Sequence, residues 1–483
     1  MRALQPIVVV QKQLAIAICG YNYLSKRAMR RPMSVDYKKF FKATDPSRTL
    51  RADNEEDQKY YIDFSTVRGG QVVEDLKDNI SLFSDGQPTC QLFTGHIGCG
   101  KSTEILQLKQ KLEAENFHVV YFESSQDMEM GDVDLSDILL AIARRVVDSL
   151  ESAKVKTEAK GFRAMLNGAV KILQTEIELS AEADVPGVGK VEASTSGEFS
   201  LSLGIGKLSA KTKDSPDMRS KLRGYMEPKT NGLLDLINQE ILLPGIADLK
   251  KQGKEGLVVI VDNLDRVDDS PKPWGRPQTE YLFVDRAEQL RKLQCHLVYT
   301  MPLALRFSRD YGTLTARFMS DPIVLPMVPV VRRNGQPHAE GLALLRQMIL
   351  SRVMPDHSDD QRLAAIEQVF DSVQTLDRLC FASGGHVRNI MRLLNDALRK
   401  QRGLPVTADV LEDTIRKRRN ELTLSIDDDE WRLLRQVNAT KKVVGDTGYQ
   451  TLIRSMYVYE YQDEDGSWFE VNPVLANAPE FNG

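Results

Sequence analysis

Residues 95–102 read Gly95-His96-Ile97-Gly98-Cys99-Gly100-Lys101-Ser102, and this octapeptide constrains the chain more than any other stretch. It meets the spacing G-x4-G-K-[ST] at every fixed position. The apolar run Cys90 to Thr94 precedes it and reads as a short buried strand, while Thr103 to Lys109 opens an amphipathic helix. Strand, glycine loop and helix in that order let successive backbone N–H groups converge on an anion, with the positive end of the helix dipole behind them. In such a loop Lys101 reaches the β- and γ-phosphates of a nucleotide, and the Ser102 hydroxyl sits on Mg2+. The expected nucleotide-binding residues are therefore Gly95, His96, Ile97, Gly98, Cys99, Gly100, Lys101, Ser102 and Thr103. A second half-match, Gly187-Val188-Gly189-Lys190, lacks the first glycine and the hydroxyl residue and is set aside.

A phosphate-cradling loop needs an acid on the metal side. Gly256-Leu257-Val258-Val259-Ile260-Val261-Asp262 supplies one, followed by Asn263-Leu264-Asp265-Arg266. Five apolar residues in succession suit a central parallel strand buried on both faces. A carboxylate at the C-terminal edge of such a strand lies where open α/β sheets bind ligands. Asp262 is the expected Mg2+-side carboxylate, acting through the metal's water shell. Asp265 is the candidate that orients or polarises an attacking water; its plainer alternative is a helix cap or a surface ion pair with Arg266. The two motifs predict an α/β fold, a P-loop NTPase core with a parallel sheet flanked by helices, binding ATP and Mg2+.

Bulk properties agree and exclude little else. At 483 residues the chain has room for two to four domains. Net charge is −4, so no overall polycation points to nucleic acid. Five scattered cysteines (Cys19, Cys90, Cys99, Cys295, Cys380) without C-x2-C spacing argue against a disulfide framework or a zinc site and suit a reducing cytosol. The apolar patch within residues 7–18 is broken by Gln11, Lys12 and Gln13, too short to span a membrane and poor as a signal peptide. Met33 reads as an alternative start, which would leave residues 1–32 upstream of the native protein.

Residues 1–59 form a charged lead-in with a small helix. In the segment before the loop strand, Tyr61 or Phe64 could wall a nucleotide base, with simple packing as the equal alternative. Residues 60–330 contain the core, including the strand Phe117 to Glu123 and the helix Ile138 to Leu150. Within it, residues 176–213 alternate polar and apolar positions with Gly and Ser between them, which predicts a β-rich insertion of exposed hairpins. A Pro-rich loop, Pro271 to Pro277, could cover the site. Beyond it come a helix over Tyr281 to Leu293 and a strand over Cys295 to Thr300. Residues 331–424 are helical in period, and residues 425–483 give two short helices and a hairpin turning at Asp463-Glu464-Asp465-Gly466.

This succession resembles the AAA+ and STAND classes of P-loop ATPases, particularly those built as an ATPase core, a helical lid (331–424) and a winged-helix-like module (425–483). The resemblance covers roughly residues 60–480 as architecture, with only the motifs specific. It implies further site residues. Thr300 matches the sensor 1 position, though it could simply cap its strand. Arg317, before Phe318 and the last core strand, matches the arginine finger that reaches a neighbouring subunit, with a surface ion pair as the alternative and Arg306 and Arg309 as competitors. Arg388, after Ser383-Gly384-Gly385, matches sensor 2. The Asp262 to Arg266 segment is also similar to KAP-type ATPases, whose core carries membrane spans that this sequence does not show. Asp265 in place of a Glu adjacent to Asp262, and the long insertion, depart from the common pattern.

What the resemblance implies is a cytoplasmic ATP hydrolase, homo-oligomeric, with a protein partner and no membrane. ATP would drive a conformational or oligomerisation switch of signalling or defence type. The alternative is a loader or remodeller acting on nucleic acid. From Ser425 onward eleven acids face five basic residues, which disfavours phosphate binding by the hairpin. Arg416-Lys417-Arg418-Arg419 is the best basic candidate, or else a solvated helix end.

Overall fold

The computed structural model describes residues 35–51, 54–156, 158–181, 201–445 and 447–481. A short helix, α1 (Tyr37–Ala43), opens the chain. Five strands then form one sheet: β1 (Cys90–Gly95), β2 (His118–Glu123), β3 (Leu257–Asp262), β4 (His296–Met301) and β5 (Ile323–Leu325). Their order is β2-β3-β4-β1-β5, with every neighbouring pair parallel. β3 is buried along its whole length, as its unbroken apolar run requires. Successive residues serve opposite faces. Val258 and Ile260 pack with α2 (Val72–Ser81) and α3 (Lys101–Ala114), whereas Val259 and Val261 pack with α4 (Leu135–Ser152). This is a P-loop NTPase fold, a parallel sheet with helices on both faces.

The expected β-rich insertion is corrected. Where described, the segment is helical: α5 (Lys160–Ala181), then α6 (Leu201–Lys213) and α7 (Pro216–Met226). Residues 182–200 lie outside the described residues, as do residues 1–34. The reason for the misreading is local. Leu201, Ile205, Leu208 and Thr212 recur at spacings of four, three and four, and all are buried on one helix face. Thr212 satisfies its hydroxyl on the Leu208 carbonyl (3.1 Å). Short alternating runs fit both periods, and the large apolar face of α4 decides for the helix.

Two smaller expectations also change. The helix expected over Tyr281 to Leu293 is present to Arg291 but not regular: it is π-helical over Tyr281–Asp285 and breaks at Arg286 before Ala287–Arg291. The Pro-rich loop does not cover the site, because Lys272 is tied to the Val133 carbonyl (2.9 Å) and to Asp132 (3.2 Å) in the connection before α4.

After α8 (Tyr311–Phe318) and β5, the chain enters a helical unit: α9 (Ala339–Val353), α10 (Val373–Ser383), α11 (Val387–Gln401) and α12 (Ala408–Thr423). The lead-in packs here rather than on the sheet, with Phe40 inside the same apolar cluster, which Phe64 and Val67 of the following segment join. The Tyr37 hydroxyl donates to the Leu398 carbonyl (2.6 Å), and Asn395 reaches Thr44 (3.0 Å). The C-terminal unit holds α13 (Asp428–Thr440), α14 (Thr447–Arg454) and the hairpin β6 (Val458–Asp463) and β7 (Gly466–Val471). Its hairpin is not an exposed wing. Tyr459, Tyr461 and Trp468 enter the cluster beneath α2 and α3, while Val458, Phe469 and Val471 pack with α13 and α14. No helix among the described residues is long and apolar enough to cross a membrane.

Candidate functional site

The glycine loop joins β1 to α3, and two glycines make its path accessible. Gly98 and Gly100 hold φ of 86° and 113°, where a side chain is strained. A Cβ on Gly98 would lie 2.9 Å from atoms of His386 and Arg388, so the start of α11 rests directly on the loop. The Lys101 amine is buried and donates to the carbonyls of Gly95 (2.8 Å) and His96 (2.9 Å). It also pairs with Asp265 Oδ2 at 2.8 Å. Burial, the largest influence, works against its charge, but Asp265 by charge and hydrogen bond, with Cys99 and Asp262, together outweigh it and raise its pKa.

Asp262 closes the metal side. Its carboxylate accepts from the Asn263 N–H (2.7 Å), the Tyr121 hydroxyl (3.1 Å) and the Ser102 side chain. Burial, then the charge of Asp265, push its pKa up. Asp265 is buried with Oδ1 lacking any partner, although Oδ2 is held by Lys101. A Ser–Asp pair, an ammonium and a half-satisfied carboxylate around one glycine loop fit a magnesium nucleotide.

An open cleft lies beside the loop. Ile97 to Thr103, Asp265, Arg266 and Arg388 line it, facing Tyr60, Tyr61 and Phe64. Gly95 and His96 instead border a separate cavity that Asp265 shares. Arg388 is half-buried, and burial followed by the Arg266 charge lowers its pKa, leaving a cation short of counter-charge at the cleft. The other two carried-over residues are placed differently. Thr300 accepts from the Leu264 N–H (3.0 Å) and donates to the Val261 carbonyl (3.4 Å), so it braces the turn carrying Asp265 and does not line the cleft. Arg317 lies on α8, donates to the Val284 carbonyl (2.6 Å) and is likewise outside the cleft. Its competitor Arg306 is engaged with Glu460 on β6.

Sequence reasoning missed two arginines. Arg68 is buried beside the loop, donating to the Cys99 carbonyl (2.7 Å) over the Phe64 ring and 3.9 Å from Glu104. Arg352 of α9 lines the cleft with the Tyr60 ring between it and Arg48; burial, then Arg48, bring its pKa down to about 10. Neither carries a local motif.

No protein-family model matches the chain, and no curated protein does. Among solved structures it is similar to Drosophila ORC bound to DNA, at 10% identity over 98% of both chains with a TM-score of 0.36. It is similar also to the Aeropyrum pernix ORC2 protein, at 12% identity over 91% of this chain and 95% of that one, with a TM-score of 0.35. A third is the Walker-type ATPase of Pyrococcus abyssi, at 11% identity over 90% and 98%, with a TM-score of 0.39. Likenesses this distant carry no argument, and the chemistry rests on the geometry above.

Proposed function

We propose that the chain is a Mg2+-dependent ATPase of AAA+ type. The observation that carries this is the loop itself: Lys101 buried in it, Ser102 joined to Asp262, and Asp265 Oδ1 free beside them. Bound Mg2+–ATP would supply the β–γ phosphoanhydride that breaks and the metal charge that offsets the phosphates. Ser102 and Asp262 are the pair that holds the metal. Lys101 and Arg388 present two cations to the phosphates, and Ile97 to Thr103 supply the cradle. Asp265 Oδ1 is the atom placed to take a proton from water, with Thr300 fixing the turn on which it sits. The test is a pair of variants: Lys101→Ala abolishes ATP binding measured by calorimetry, while Asp265→Asn binds but turns over slowly. Normal hydrolysis by Lys101→Ala would overturn the assignment.

We read the units as core (60–330), lid (331–424) and a winged-helix-like module (425–483), in a homo-oligomer where Arg317 faces the next subunit's nucleotide. For the output, two readings are to be separated, the loader or remodeller acting on nucleic acid, which is tested first, and the conformational or oligomerisation switch. Surface charge offers no ready docking strip. Arg416 pairs with Asp413, Arg418 with Glu421, and Arg419 donates to the Asn477 carbonyl. Duplex binding that weakens steeply with salt would establish the loader, and its absence alongside ATP-dependent assembly would establish the switch.

A further inference from the structure

The C-terminal hairpin reaches back across the sequence to grip the glycine loop. His96 Nε2 accepts the backbone N–H of Glu460 at 2.9 Å, a bond between residues 364 positions apart. That role fixes the proton on Nδ1 of a fully enclosed imidazole. One residue earlier, the Tyr459 ring lies between two histidines: His96 edge-on at 5.7 Å, and His386 stacked at 5.7 Å with the planes 26° apart. His386 itself caps α11, accepting from the Asn389 N–H through Nδ1 (2.9 Å). Its Nε2 therefore carries the proton, and it donates to the Ile97 carbonyl in the loop (2.8 Å). The circuit is closed on the hairpin side. Asn389 donates to the Tyr459 hydroxyl (2.7 Å), and the Tyr461 hydroxyl donates to the Gly384 carbonyl (2.7 Å). The Arg388 N–H adds a bond to the Gly98 carbonyl (3.2 Å).

We propose that β6 is a clasp, with His96, Tyr459 and His386 as positioning residues that hold the glycine loop in its phosphate-ready shape. The inference rests on the nucleotide-binding reading above and goes beyond it by coupling that site to the last unit of the chain. The clasp takes the loop's carbonyls and the His96 side chain, whereas phosphate binding uses its amides, so both can be satisfied together. A loop already fixed loses less freedom when it binds. The coupling must then be positive and reciprocal, since whatever factor the clasp adds to nucleotide affinity, nucleotide adds to the clasp.

The experiment is backbone hydrogen exchange on the full chain, with and without Mg2+–ADP, beside equilibrium binding of a fluorescent ADP. In wild type, saturating ADP should slow exchange at Glu460 roughly tenfold, a typical coupling. Tyr459→Ala should weaken ADP binding by a similar factor and, without nucleotide, speed exchange across residues 96–100. His96→Leu opens the clasp from the loop side and should act the same way if Tyr459→Ala does not fold. Unchanged loop exchange in a folded variant would overturn the clasp. Failure of wild type to bind any adenine nucleotide would overturn the functional reading instead, while the ligand-free loop exchange still judges the clasp.

Discussion

Asn263 adopts φ of 65°, and this one left-handed residue turns the chain sharply at the end of β3. Asparagine tolerates that conformation better than most residues. The turn brings Asp265 back under Lys101, and on the function proposed above this carboxylate, three residues past Asp262, takes the part of the adjacent acid. Asp265→Asn keeps the shape and loses the base. Turnover should fall by about 10²–10⁴ in a single-turnover assay while ADP affinity stays level, because the phosphates replace the lost partner of Lys101. At this scale the sequence was legible where chemistry demands fixed spacing: Ile97 to Thr103 line one cleft, and Asp262 meets Ser102 at its side, whereas Gly95 and His96 border another cavity. Arg68 was not legible. A lone arginine before Gly69-Gly70 gives no local signal, and only tertiary packing lays it over Phe64 against the Cys99 carbonyl.

Elements were legible where one period dominates. Strands β1 to β4 and helix α4 lie close to where continuous or 3.6-residue apolar patterns predict them. The insertion failed because a short polar–apolar alternation satisfies two periods at once, and the partner surface that decides is remote in sequence. The glycine pair before α11 permits a close approach to backbone: a Cβ on Gly385 would sit 1.7 Å from the Val328 carbonyl oxygen, at a φ of 73°. Gly385→Ala therefore combines a left-handed side chain, costing about 1–2 kcal/mol, with an overpacked contact, costing about 1–3 kcal/mol. Urea unfolding should register a loss of roughly 2–5 kcal/mol. Gly403→Ala, whose Cβ meets nothing within 4 Å, should stay within about 0.5 kcal/mol of wild type.

Three packing units meet at the glycine loop, and what couples them is polar and buried. No sequence pattern announces that His96 answers Glu460 or that His386 answers Ile97, since each imidazole finds its partner only after folding. The arrangement requires both rings to be neutral. Burial depresses the His386 pKa to about 4, against a modest opposing pull from its bond to the Ile97 carbonyl. The His96 pKa lies well below its ordinary value for the same first cause, then through His386 and Lys101. An unfolded chain takes up a proton at His386 near pH 6.5, whereas the folded chain does not until about pH 4, and His96 is shifted in the same direction. Between those limits the unfolded state binds more protons, so each such histidine removes stability as pH falls. Carboxyls with raised pKa, Glu104 and Asp262 among them, pull in the opposite direction, so total stability against pH does not isolate the effect. A differential measurement does. His386→Asn keeps a side-chain cap on α11 but cannot titrate. It should lose stability at pH 7 with the Ile97 bond, yet its stability should fall less steeply than wild type from pH 6.5 to 4. The slopes should differ by about 1.4 kcal/mol per pH unit, one proton's worth. Parallel slopes in urea titrations across that range would mean that His386 is already charged in the folded protein, and the bond joining lid to loop would then need another description.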